Sequence, residues 1–169
     1  LSAAPAWDDA RVNLAIALLN TQDVPNLDRA VTELGRVLEH DPAHLRASYV
    51  LGLLRLYRGE AERALPLFER VARAAESAGF EYVLVPVQSA CWEAYISCAF
   101  VAARTERLSM LLAARAGFVA PTVMAKMIAT FDQLSGGRVK VNLITGGSAA
   151  EMAADGLFDD HDERYERLD

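Results

Sequence analysis

Apolar residues recur at helical spacing through the first half of the chain and give way to short β-rich runs in the second. Positions 10–20 carry apolar residues on a helical period and predict a first helix. A second fits about 27–39 and stops before Asp41-Pro42, because proline cannot continue the hydrogen-bond ladder. A third fits 44–57 and ends at Arg58-Gly59. A fourth runs over about 61–78, and Gly79 closes it in the same way.

After Gly79 the texture changes. Tyr82-Val83-Leu84-Val85-Pro86 reads as a strand, and a helix-period segment follows from Trp92 to Ala103. Leu108 to Ala114 is a second strand-like apolar run. Pro121 then opens a helix that reaches about Leu134, proline being tolerated in a first helical turn. Ser135-Gly136-Gly137 stops that helix. Residues 139–144 read as a third strand, and Thr145-Gly146-Gly147-Ser148 turns into a helix from about Ala149. Strands alternate with helices at spacings too long for hairpins, which predicts parallel pairing, right-handed crossovers and an α/β class.

The helical half contains an internal match at a period of 34 residues. Ala30 pairs with Ala64, Val31 with Leu65, Leu34 with Phe68, and Val37 with Val71. With Leu51-Gly52, Gly59 and Asp41-Pro42 at the expected offsets, this half resembles a pair of tetratricopeptide repeats, and a generic pair of helical hairpins is the alternative. Pro66 inside the second repeat and the extra residues around Asp23-Val24-Pro25 depart from the repeat pattern. The predicted division is 1–77 for the helical repeats and 78–169 for the α/β part.

Composition narrows the function classes. The chain has 169 residues, 53% of them hydrophobic and 24% charged, which suits a globular protein of one ordinary domain or two small ones. The net charge of −6 leaves no basic surplus for nucleic acid. No apolar run reaches the roughly 18–20 residues a membrane helix needs. The N-terminal residues lack a secretory pattern, and the missing initiating Met points to an absent or processed start. Cys91 and Cys98 are the only cysteines. On one helix they would sit about 10 Å apart along the axis, too far for a disulfide, so a reducing cytoplasm is the expected compartment. His40 and His44 straddle Pro42 with no cysteine partner, and His161 stands among acids, so no metal site is expected.

In parallel α/β folds, functional groups gather on loops beyond the carboxyl ends of strands. Three loops qualify. In the first, Cys91 is either a thiol that reacts or contacts substrate, favoured as thiolate by the following helix N-terminus, or a small buried hydrophobe; Cys98 belongs to the core. In the second, Arg115 either binds an anion such as a sulfonate or pairs with a neighbouring carboxylate. The third, Thr145 to Ser148, is a glycine-rich anion cradle that lacks a P-loop lysine and a dinucleotide fingerprint. His161 and Tyr165 lie four residues apart, on one face of a helix, or else form part of a solvated charged helix start.

Taken in order, a set of segments resembles the bacterial-luciferase-like flavin monooxygenase superfamily, and within it the alkanesulfonate monooxygenases. They are 75–80, Val83-Leu84-Val85-Pro86, Cys91, Glu93-Ala94-Tyr95, Ala114-Arg115, 120–123, 129–138, 142–146, Asp155-Gly156 and 161–166. The resemblance implies a (β/α)8 TIM-type barrel, of which about three parallel strands are present, preceded by the helical hairpin pair. It also implies reduced FMN (FMNH2) delivered by a separate flavin reductase, with O2 as co-substrate and a small organosulfonate cleaved to aldehyde and sulfite. On matching positions, Cys91 is the catalytic candidate, and Asn142, Thr145, His161 and Tyr165 are flavin-site candidates. Arg115, at a matching strand end, is the substrate-binding candidate. Helical repeat sequence stands where the family's first strand belongs, and the barrel's second half is absent. The expectation is therefore a fragment or fusion, with the helical repeats and an open sheet edge as surfaces for a protein partner or self-association. The alternative is a repeat-type interaction module beside a non-catalytic barrel remnant.

Overall fold

The computed structural model describes residues 5–87 and 92–168. It packs as two units, residues 1–74 and 75–169.

The first unit is helical: α1 (Pro5–Asn20), α2 (Val24–His40), α3 (Leu45–Tyr57) and most of α4 (Ala61–Ser77). Its core is the apolar stripe seen in the sequence. Val12, Ala15 and Leu18 of α1 meet Leu27, Ala30, Leu34 and Val37 of α2, with Ala47, Val50, Leu51 and Leu54 of α3 closing the cluster. Helix α2 begins three residues before the expected start, because Pro25 falls in its first turn, where a missing N–H costs nothing. Helix α4 runs through Pro66 unbroken. Ala64 is fully buried, and Phe68 packs its ring against Gly52 of α3 and edge-on to Tyr49, with centroids 6.2 Å apart.

The second unit contains β1 (Tyr82–Val85), α5 (Ala94–Ala102), β2 (Ser109–Arg115), α6 (Pro121–Ser135), β3 (Val139–Ile144), α7 (Ala149–Ala154) and α8 (His161–Leu168). The strands form one open parallel sheet in the order β1-β2-β3. Tyr82 pairs with Ser109 and Val85 with Leu112, while Met110 pairs with Val139 and Arg115 with Ile144. This is the expected α/β architecture, three strands of a TIM-type barrel. Successive strand residues point to opposite faces. One face carries Val83, Val85, Met110, Leu112 and Val139 against Ala94, Cys98 and Phe131 of the covering helices. On the other, Tyr82 and Leu84 stay exposed.

The amino ends of the strands are tied down by two polar hubs. The Glu76 carboxylate accepts backbone N–H groups from Glu106, Arg107 and Leu108, fixing the approach to β2. Arg138 donates to the carbonyls of Ala102, Thr105, Leu108 and Ser135, joining the ends of α5 and α6 to the same approach. The helix before β3 ends on Gly136 in the left-handed conformation, φ 69°, which glycine adopts without a Cβ penalty. With the amino ends fixed in this way, the strands deliver their last residues to the opposite rim. Among the described residues, no helix is long and apolar enough to cross a membrane.

Candidate functional site

At that opposite rim lies a cavity of about 210 Å³ that opens to solvent. Val87, just beyond β1, forms one wall, and Ala113 and Arg115 at the end of β2 form the floor. The first residues of α5 contribute Trp92, Glu93, Ala94 and Tyr95. Phe118, Val119 and Met124 follow β2, and Asp155 comes from the end of α7.

Arg115 organises this rim. Its side chain is only 2% exposed, and burial of a guanidinium demands compensation. Nη1 donates to Asp155 at 2.7 Å, and Nη2 donates to the Val87 carbonyl at 3.2 Å and to Glu151 at 3.4 Å. The ion-pair alternative for Arg115 is thus the one displayed. Its Nε, also buried, has no partner, and neither has the Tyr95 hydroxyl. Burial, then the nearby Glu93 charge, pushes the Tyr95 hydroxyl above its ordinary value, so the group remains a protonated donor. Glu93 caps α5, its carboxylate accepting from the N–H groups of Tyr95 and Ile96. Gly146, at φ 88°, lies where an added Cβ would strike Met152 and come within 3.4 Å of Arg115 Nε. Glycine there lets α7 carry Glu151 and Asp155 to the guanidinium.

The sequence-derived flavin-site candidates lie beside this cavity and do not line it. Asn142 pairs in register with Ala113, and its alternation puts it on the same sheet face as Arg115; it is exposed. Thr145, half-buried, is the first residue beyond β3. His161 and Tyr165 occupy one face of α8, ring centroids 5.0 Å apart, with His161 2.9 Å from Asp162. Helix α8 reaches the β2 rim through Arg167, whose side chain abuts Gly117. A second, wider hollow lies between them, lined by Ala116, Gly117, Leu143, Arg167 and Leu168. Cys91 lies outside the described residues. Cys98 is fully buried in the core, and burial pushes its thiol up to about 12, which keeps it inert. Among the described residues no cluster of three or more His, Cys, Asp or Glu side chains is placed to hold a metal ion.

Glu93, Tyr95, Glu151 and Asp155 carry no role in the sequence reading. The signal for one of them was present: Arg115 at a buried strand end requires a carboxylate, and Asp155-Gly156 is one of the resembling segments.

The chain has a solved counterpart over part of its length. EDTA monooxygenase (EmoA) from Chelativorans sp. BNC1 is similar at 26% identity and a TM-score of 0.58, over 66% of this chain. The chain spans 29% of the length of that protein. The family model described as luciferase-like monooxygenase matches residues 50–169, from within α3 through α8. With that match covering well over half of its residues, the chain belongs to the luciferase-like monooxygenase family.

Proposed function

We propose that this chain forms part of a two-component, FMNH2-dependent monooxygenase that oxidises a small organic substrate and draws its reduced flavin from a separate reductase. Alkanesulfonates are the substrate class brought by the sequence resemblance. The observation that carries the reading is the rim itself. A chain of this family sets an apolar cavity with two unpaired buried donors at the carboxyl ends of three parallel strands, where such folds place their chemistry.

The polar groups in and beyond β3 suit a flavin. Asn142, Thr145, His161 and Tyr165 offer donors and acceptors of the kind a flavin ring edge requires. On the same helix, Arg164 has a buried Nε without a partner, a donor that a phosphate would satisfy. When bound, reduced FMN supplies the reaction with dioxygen and the transfer of one oxygen atom to substrate. The chain's own residues bind, orient and exclude water. Val87, Phe118, Val119 and Met124 present apolar surface, which limits water access to a reacting centre. Tyr95 keeps its proton, its hydroxyl being pushed above the ordinary value by burial. The catalytic role of Cys91 remains part of the proposal.

A second reading, a tetratricopeptide-like interaction module at 1–77 beside a non-catalytic barrel piece, is favoured by the separate helical core and by Phe68 seated against Gly52. Anaerobic titration of the full chain with FMNH2, followed by flavin fluorescence, decides between them. Saturable micromolar binding that weakens in His161→Ala and Cys91→Ala supports the oxygenase, and absence of binding leaves the interaction module.

A further inference from the structure

Two hollows at the strand-end rim share a wall. The first is the cavity of about 210 Å³ beyond β1 and β2, and the second, of about 500 Å³, lies between the loop that follows β2 and helix α8. Val119 and Met124, both half-buried, line the one and the other. Side chains that face two spaces at once stand between them. Their position follows from the local sequence. Beyond Arg115 at the end of β2, Ala116 and Gly117 turn the chain, with Gly117 at φ 82° and Arg167 of α8 filling the place a Cβ would take. Pro121 then opens α6, and the Met124 N–H donates to the Ala120 carbonyl at 3.0 Å, which fixes Met124 in the first helical turn. The charged residues of both linings are committed to partners. Glu93 accepts from the N–H groups of Tyr95 and Ile96, Arg115 pairs with Asp155 at 2.7 Å, and Arg167 pairs with Asp159 at 2.7 Å. What remains is largely apolar: Val87, Ala113 and Phe118 in the first hollow, Ala116, Pro121 and Leu143 in the second.

We propose that Met124, with Val119, sets the length of the uncharged hydrocarbon chain that the first hollow accepts, by closing it off from the second. A chain that enters from the solvent opening gains free energy with each methylene it buries, until it meets the Met124 thioether. Methionine is unbranched and fills irregular gaps, and alanine in its place removes the side chain beyond Cβ while keeping a strong helix former in α6. The shortened wall then admits the chain to the larger space. That such a chain belongs to a substrate rests on the monooxygenase reading; the length limit is a property of the hollow and does not.

The test titrates the full chain, without flavin, with straight-chain primary alcohols from propanol to octanol. Trp92 lines the first hollow and not the second, so in a Trp7→Phe background its emission reports entry. In this parent, affinity should rise about fourfold with each added methylene and then level off at a definite chain length. Met124→Ala should move that limit outward by at least about two carbons. Met124→Leu, of similar volume, should leave it in place. So should Met127→Ala, the same truncation nearly one turn further along α6 at a residue that lines neither hollow. Should Met124→Ala not fold, Val119→Ala thins the same wall from the loop and should move the limit by about one carbon. No alcohol response in the parent, no levelling-off, a limit unmoved in the variant that folds, or an equal shift in Met127→Ala would each overturn the proposal. Because the titrations run without FMNH2, a chain that shows the length limit and fails to bind reduced flavin sinks the oxygenase reading alone. One that binds FMNH2 and shows no limit sinks the partition alone.

Discussion

Replacing Asp155 should cost the α/β unit more than replacing Arg115, although the two form one ion pair. The pair lies across a 2.7 Å hydrogen bond, with the Arg115 side chain 2% exposed and the Asp155 side chain 25% exposed. At a charge separation near 4 Å and an effective dielectric of 20, the gross attraction is about 4 kcal/mol. Asp155→Ala leaves a guanidinium that cannot reach water and keeps, as its one charged partner among the described residues, Glu151 at the longer distance of 3.4 Å, beside the Val87 carbonyl at 3.2 Å. Removing one partner of a buried pair costs about 3–5 kcal/mol; the remaining carboxylate and the partial exposure of Asp155 reduce this to about 2–3 kcal/mol. Arg115→Met behaves differently. Methionine fills much of the volume, and the two carboxylates released are at the rim, 19% and 25% exposed, where they rehydrate. Its cost should stay below about 1.5 kcal/mol. The assay is urea unfolding read by Trp92 fluorescence in a Trp7→Phe background, which reports on the second unit alone. With a slope of about 1.5 kcal/mol/M, Asp155→Ala should lower the midpoint by about 1.3–2 M and Arg115→Met by less than about 1 M. Equal shifts, or a larger one for Arg115→Met, would refute the view that the stranded guanidinium dominates.

Two further outcomes follow from the packing and polar hubs. Gly52→Val should destabilise the helical unit by about 1–3 kcal/mol, since even a Cβ at that position comes within 2.9 Å of the Phe68 ring; a Gly52→Val, Phe68→Ala double variant that recovers no stability in thermal unfolding would count against the steric account. The Glu76 carboxyl is held below its ordinary value, first by the N–H of Arg107 and then by that of Leu108. A depressed carboxyl contributes stability that is present above its unfolded value and lost as the pH falls through the folded one. The wild-type chain should therefore weaken on acidification below about pH 4, whereas Glu76→Gln should be weaker at neutral pH and show a flatter acid limb by circular dichroism. A Gln variant with an unchanged acid limb would show that Glu76 does not carry it.

The elements were legible because their period and their punctuation agree. Residues 139–144 alternate as a strand should, and the structure places β3 at that span. Pro121 and Gly136 mark the two ends of α6. Where the sequence misleads, a proline is responsible. Pro25 looks like an interruption and is a first-turn residue, which moves the start of α2 back to Val24. Pro66 departs from the repeat pattern without ending the helix expected over 61–78: α4 continues through it, with Ala64 buried ahead of it and Phe68 packed on Gly52 beyond it. Local propensity names a residue's preference, and packing on either side decides whether the preference prevails.

The site divides along a different line. Arg115 could be singled out from sequence because a strand ends on it, and its position at the rim needs only the period of β2. Whether its charge is free for an anion depends on residues 36 and 40 positions away, Glu151 and Asp155. Their arrival depends in turn on Gly146, whose missing Cβ leaves room for Met152 and lets α7 close over the guanidinium. A sequence reading can recognise each of these three features and still not determine their sum. An unpaired arginine at this rim would select anions, whereas the same arginine under two carboxylates retains one free donor, Nε, and no free charge. Charge at a strand end is therefore a property of the loop that returns to it, and the selectivity of this rim is set as much by α7 as by the strand that carries Arg115.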